Sequence, residues 1–307
     1  MIRRFAAAAG LLLITALPAM AAPDIRVDLW PAGAPGGPPA RDPEQIITSD
    51  GWTRSTHVEV PYFTVHLAPA ENATGAGIVI VPGGGYGIVA FEHEGTDLAR
   101  WLNARGVSAF VLHYRHAPDR HPAPLRDVLR ALRLVRAQAD AYQLRRDRIG
   151  VLGFSAGGHL ASCAATMFDS PEGRAGIDAL DEVSARPDFA VLIYPVITLE
   201  PPHAHAGSRD NLLGGAAPAE HVTHMSTHTR VTSATPPLFL LHAADDPVVP
   251  VENIHLMHRA ALAAGVPAEL HIFDKGGHGF GMRANAGPIA IWPELVLGWM
   301  RERAVVP

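Results

Sequence analysis

From residue 77 onward the chain alternates between two hydrophobic patterns. Strand-length apolar runs recur at GIVIV (77–81), VSAFVLHY (107–114), RIGVLGF (148–154), FAVLIYP (189–195) and PLFLLHA (237–243), and AELHIFD (268–274) closes the series. Between them lie segments whose apolar residues fall at helical spacing. Residues 94–106 place Leu98, Trp101 and Leu102 on one side and end at Gly106. Residues 125–142 put Leu125, Val128, Leu129, Leu132 and Val135 in one stripe. Further helices are expected at 156–168, 252–265 and 289–304, the last with an irregular entry at Pro293. Upstream, THVEVPYFTVHLA alternates in the manner of antiparallel edge strands, and the Pro- and Gly-rich LWPAGAPGGPPARDPE reads as an extended segment. Continuous apolar strands alternating with helices predict an α/β fold: one domain, with a mostly parallel sheet covered by helices on both faces. Residues 198–236 are too long for a plain connection and read as a lid-like insertion before a late strand.

In such sheets, ligands sit at the carboxyl ends of the strands, so the loops after residues 81, 152, 243 and 274 should converge. What those four loops carry is chemically coherent. The loop VPGGGYG (81–87) offers backbone N–H groups unobstructed by side chains, as an oxyanion hole requires. In GFSAG (153–157), Ser155 stands between a strand and a helix with glycines two residues to either side, the context of a nucleophile elbow. HAADDPVVP (242–250) supplies a carboxylate; Asp246 is preferred, with Asp245 left as a turn-capping or solvent-facing residue. DKGGHGFG (274–281) places His278 among glycines after the last strand, where a general base belongs. The chain order Ser155, Asp246, His278 is that of the α/β-hydrolase fold. In the expected chemistry Ser155 attacks an ester carbonyl, His278 moves its proton and Asp246 orients the imidazole. The N–H groups of Gly84, Gly85 and Ala156 hold the oxyanion, with no metal or organic cofactor required.

LWPAGAPG, VPGGGYG, FEHEGTDLARWLNARGVSAFVLHYR, GFSAGGHLAS and KGGHGFGM resemble bacterial secreted α/β-hydrolases related to acetylxylan esterases, over nearly the whole chain after its leader. The resemblance implies release of acetyl or other short acyl groups from plant polysaccharide fragments, so the expected partner is a small-molecule or oligosaccharide ester. By the same motif Gly84 and Gly85 are the oxyanion residues, and Tyr86 is a candidate either to line the acyl pocket or to serve a packing role. Pro82 stands where lipase-type loops carry histidine, which argues against long-chain substrates.

Composition narrows the setting. The chain has 307 residues, 48% hydrophobic and 18% charged, with a formal net charge of −5. No charge block points to nucleic acid. A basic start (MIRR), an apolar stretch too short to span a bilayer and an A-x-A ending at Ala21 mark residues 1–21 as a secretory signal peptide, with no membrane anchor left after cleavage. Without it, 23 basic minus 30 acidic residues leave −7. Export to the periplasm or medium is therefore expected. The single cysteine, Cys163, reads as a small buried hydrophobe. Two rival readings stand beside the esterase: a serine peptidase of the prolyl-peptidase type, and a metal-binding protein using His203, His205, His221, His224 and His228 of the insertion. A non-catalytic binding protein on the same fold is a third, disfavoured by the complete set of candidate groups. Nothing in the sequence indicates an oligomeric state.

Overall fold

The computed structural model describes residues 25–37, 43–49, 52–283 and 286–307. The leader expected at residues 1–21 lies outside the described residues. The strands are β1 (Ile25–Asp28), β2 (Gln45–Ser49), β3 (Trp52–Thr56), β4 (Tyr62–His66), β5 (Ala76–Val81), β6 (Val107–His113), β7 (Ile149–Phe154), β8 (Ala190–Ile193), β9 (Leu238–Ala243) and β10 (Ala268–Phe273). Eight of them form one sheet in the order β1-β4-β6-β5-β7-β8-β9-β10. The β1–β4 and β4–β6 pairs are antiparallel, and every pair from β6 to β10 is parallel.

The helices are α1 (Asp97–Asn103), α2 (Ala123–Ala137), α3 (Ser155–Thr166), α4 (Ala206–Leu213), α5 (Ala219–His224), α6 (Glu252–Ala263) and α7 (Trp292–Glu302). The pleat of β5 shows how they are distributed. Val79 and Val81 join the core formed with α2, α3 and α6, while Ile78 and Ile80 join the core formed with α1 and α7. Every β5 side chain is fully buried, as a strand covered on both faces requires. Each such aliphatic side chain contributes about 1.5–3 kcal/mol by leaving water. Edge strand β10 is only half-buried.

Three local expectations are refined. The segment 94–106 enters through a π-helical turn, Glu92–Thr96, before α1 begins. The last helix follows a 3₁₀ turn, Gly287–Ile291, and holds Pro293 in its first turn, where a missing N–H costs nothing. Within THVEVPYFTVHLA, Thr56 ends β3 and Tyr62–His66 forms β4, which is not an edge, because β1 pairs outside it. The antiparallel β2–β3 hairpin was not anticipated, although Asp50-Gly51 between its strands is a hairpin signal. The Pro/Gly-rich N-terminal segment is held by a buried ion pair on α2. Asp127 accepts from the Arg115 guanidinium at 2.7 Å and from Trp30 Nε1 at 2.9 Å, and Arg115 Nη1 donates to Pro35 O at 2.9 Å. Among the described residues no helix is long and apolar enough to cross a membrane.

Candidate active site

β7 ends at Phe154 in extended conformation, and the next residue, Ser155, has φ +51°. A non-glycine residue in that region is strained, and here the strain lifts the serine onto the apex of the strand-to-helix turn. The turn brings the first residues of α3 against the end of β5. A Cβ on Gly157 would lie 2.2 Å from Val81 O and 2.3 Å from Pro82 O, so the second glycine of the motif is imposed by backbone approach.

The loops after β7, β9 and β10 meet in a hydrogen-bonded chain. Ser155 Oγ lies 2.9 Å from His278 Nε2, and His278 Nδ1 lies 2.7 Å from Asp246 Oδ2. The carboxylate only accepts, so Nδ1 carries the proton and Nε2 is left to accept from the serine hydroxyl. Asp246 Oδ1 accepts from the N–H groups of Val248 (2.8 Å) and Val249 (2.9 Å). Burial pushes the Asp246 carboxyl up, but hydrogen bonds from His242, His278 and Val249 outweigh it and hold it well below the usual carboxylate range. The neighbouring Asp245 has a different task. Its Oδ1 accepts from Gly276 N (2.9 Å) and Gly277 N (2.8 Å), which fastens the His278 loop to the β9 loop.

On the other side of Ser155 lies the glycine loop. Gly84 has φ +132°, and a Cβ there would sit 2.2 Å from Ile88 O. The Gly83 N–H is occupied by Glu94 Oε2 at 2.7 Å, whereas among the described residues the Gly84 and Gly85 N–H groups meet no protein acceptor. Ala156 N–H belongs to the first turn of α3, where N–H groups lack intrahelical partners. Of its two open roles, Tyr86 takes packing and not the lining of the acyl pocket. Its side chain is buried behind the loop, with its hydroxyl 2.8 Å from His159 Nδ1. His159 Nε2 in turn donates to Met225 O at 2.7 Å, and burial pushes this imidazole down to about 4, so it is neutral. Cys163 is buried beside it.

Several contributors escaped the sequence reading. His242 is fully buried on β9, and its Nε2–H faces Val249 O (3.0 Å) and Asp246 Oδ2 (3.3 Å). Glu94 joins two site loops. It accepts from Gly83 N–H of the glycine loop and, at 2.8 Å, from the Tyr194 hydroxyl, which itself accepts from Gly281 N–H of the histidine loop at 3.1 Å. Tyr194 follows β8 with φ +38°, and its ring packs against His278. Glu94 stands among Glu92, His93 and Asp97 and carries no signal that separates it from them; Tyr194 reads as the end of a strand.

Burial pushes the Glu94 carboxyl up, but the His93 imidazole, the Tyr194 hydroxyl and the Gly83 N–H outweigh it and hold it below its ordinary value. Its ionised form therefore adds stability above the unfolded-state value of about 4.3, and this is lost as pH falls through the lower folded-state value. Glu94→Gln is expected to cost about 1–3 kcal/mol at pH 7. An amide oxygen facing Gly83 turns the NH₂ toward Tyr194, and the reverse leaves Gly83 N–H facing a donor. Melting temperatures of the two proteins should draw together below about pH 4; a constant gap between pH 7 and pH 3 would refute this account.

Ser155, His278, Gly84, Gly85, Trp52 and His205 line a cleft of about 260 Å³. A larger cavity of about 590 Å³ contains none of these six; His121, Glu172, Leu212, His221 and His224 line it. There Glu172 bridges His121 Nε2 (3.1 Å) and His224 Nε2 (2.9 Å). The histidines of the insertion are dispersed, with His205 at the cleft and His203 3.8 Å from Glu252. Among the described residues no group of three or more His, Cys, Asp or Glu side chains is placed to hold a metal ion.

The sheet order, the serine elbow and the loops gathered at the strand ends define an α/β-hydrolase. Within that class the chain belongs to the BD-FAE family, whose model matches residues 64–261. It is 37% identical over 215 residues to an acetylxylan esterase of Xylanibacter ruminicola, covering 69% of this chain and 42% of that protein. It is 36% identical over 206 residues to endo-1,4-beta-xylanase B of Butyrivibrio fibrisolvens, covering 66% of this chain and 32% of that one. The chain thus spans less than half the length of either relative. Among solved structures it resembles an acetyl ester-xyloside bifunctional hydrolase from Caldicellulosiruptor lactoaceticus, with 43% identity, a TM-score of 0.77, and coverage of 82% of this chain and 91% of that one.

Proposed function

We propose that this protein is a serine carboxylesterase that removes acetyl and other short acyl groups from xylan or related plant polysaccharide fragments. The observation that carries the reaction type is the chain Ser155 Oγ–His278 Nε2 (2.9 Å) and His278 Nδ1–Asp246 Oδ2 (2.7 Å) beside the Gly84 and Gly85 N–H groups, which meet no acceptor among the described residues. His278 Nε2 takes the Ser155 proton as Oγ bonds to the ester carbonyl carbon. The carbonyl oxygen gains the negative charge, which the N–H groups of Gly84, Gly85 and Ala156 meet. The C–O bond to the alcohol then breaks, and the alcohol leaves with the proton from His278. Water, deprotonated by the same nitrogen, releases the acid and restores Ser155. Asp246 stays ionised throughout and stabilises the imidazolium. The acetyl and sugar parts of the proposal draw on the names of the two curated relatives and the solved hydrolase. In this reading the leader at residues 1–21 exports the enzyme to the periplasm or medium, where such fragments are met.

The test compares kcat/KM on acetylated xylo-oligosaccharides, acetylated pectin fragments, p-nitrophenyl esters of rising chain length and matching p-nitroanilides. Acetylated xylo-oligosaccharides and acetyl esters should be preferred, and the amides should be inert. A preference for acyl chains of eight or more carbons, about the lipase range, would overturn the substrate class, and amide cleavage at comparable rates would favour a peptidase.

A further inference from the structure

The insertion carries a side chain that the proposed reaction does not use. His205 precedes α4 and caps it: its Nδ1 lies 3.2 Å from Ser208 N and 2.7 Å from Ser208 Oγ. A backbone N–H can only donate, so Nδ1 accepts and the ring proton resides on Nε2. Among the described residues no protein group meets that Nε2, and the ring lines the cleft that holds Ser155 and His278. Burial and the neighbouring His278 push the His205 imidazole down, against a smaller pull upward from Asp246, so it stays neutral and keeps this tautomer.

Its place is fixed relative to the reacting groups. At the far end of the same helix, Asn211 Nδ2 donates to Gly85 O at 2.8 Å, so α4 is docked on the glycine loop. Trp52 of β3 lines the same cleft. The Trp52 ring is itself covered by the Arg283 guanidinium at 3.2 Å and packed edge-to-face against His93, so the indole is a wall of the cleft and His205 Nε2–H is the fixed neutral donor in it, suited to a sugar hydroxyl oxygen.

We propose that His205 is a specificity-determining residue through which the insertion recognises the alcohol half of the ester, its Nε2–H donating to a hydroxyl oxygen of the sugar that bears the acetyl group. The assignment rests on the esterase reading above and adds the sugar contact to it. Donors for the carbonyl oxygen are already supplied by the glycine loop and α3, which leaves His205 for the other half.

Two substitutions separate recognition from capping. His205→Asn keeps a short side-chain oxygen for the cap but cannot reach into the cleft. His205→Gln places an amide N–H near the Nε2 position and loses the cap. The readout is the ratio of kcat/KM on acetylated xylo-oligosaccharides to that on p-nitrophenyl acetate, with melting temperature alongside. His205→Asn should lower the ratio about tenfold, the size of one lost hydrogen bond to a substrate hydroxyl, at near-native melting temperature. His205→Gln should restore much of the ratio while melting lower. An unchanged ratio in His205→Asn, with the wild-type enzyme active on the sugar esters, overturns the His205 assignment alone. If the wild-type enzyme hydrolyses p-nitrophenyl acetate but not acetylated sugars, the sugar reading falls and this assignment with it.

Discussion

Ser155→Ala is expected to lower kcat on p-nitrophenyl acetate by about 10⁵-fold or more while leaving the fold intact. The magnitude follows from the unit in which the serine acts. Without Oγ, the imidazole 2.9 Å away has no proton to take and no acyl-enzyme forms; only the oxyanion donors and substrate binding remain to assist water. The backbone should tolerate the change. Ser155 already sits at φ +51°, and alanine keeps its Cβ, so the strain of the turn is neither added nor relieved. The one lost contact is a hydrogen bond at a part-buried site, so the melting temperature should move by no more than a few degrees. A phosphonate ester reagent should label the wild-type chain once and leave the variant unlabelled. Retention of more than about one per cent of kcat at native melting temperature would remove Ser155 from the mechanism.

How this site could be read from the sequence, and where reading stopped, follows from what each part depends on. Ser155, Asp246 and His278 are visible because each sits on a loop directly after a strand, and strand ends are marked by where an apolar run stops. Gly157 is visible for a steric reason: any side chain there strikes Val81 O, so the motif is rigid. Glu94 and His242 leave no such mark, and Tyr194, although it directly follows β8, reads as one more apolar residue of the strand. Their roles come from tertiary distance, the Glu94–Tyr194 contact alone joining residues 100 apart. Tyr86 shows the converse, a position whose two open roles, pocket lining and packing, sequence alone does not separate. It lies next to the glycine loop in sequence, but with φ +57° its side chain is turned away from the cleft into the core toward His159. His205 was visible only as one of several histidines in an insertion. What separates it from His203 or His221 is the packing of α4 against Gly85.

The two adjacent aspartates should respond to the same substitution very unequally. In Asp246→Asn, kcat should fall about 10⁴-fold. The Val248 and Val249 N–H groups both point at Oδ1 (2.8 and 2.9 Å), so the new amide must keep its oxygen there. Its NH₂ then occupies the Oδ2 position, 2.7 Å from His278 Nδ1 and 3.3 Å from His242 Nε2. Facing a donor, His278 Nδ1 must accept, which moves the ring proton to Nε2. An Nε2–H pointing at Ser155 cannot take the serine proton, and no carboxylate is left to stabilise an imidazolium. In Asp245→Asn the amide oxygen can still receive Gly276 and Gly277 N–H, since both bonds go to one oxygen. That variant should stay within about threefold of wild type, whereas Asp245→Ala, which frees the histidine loop, should lose about 1–3 kcal/mol of stability together with part of kcat. Steady-state kinetics on p-nitrophenyl acetate with melting curves for all three variants checks the ordering. An Asp245→Asn enzyme weaker than Asp246→Asn would mean that the orienting carboxylate has been assigned to the wrong neighbour.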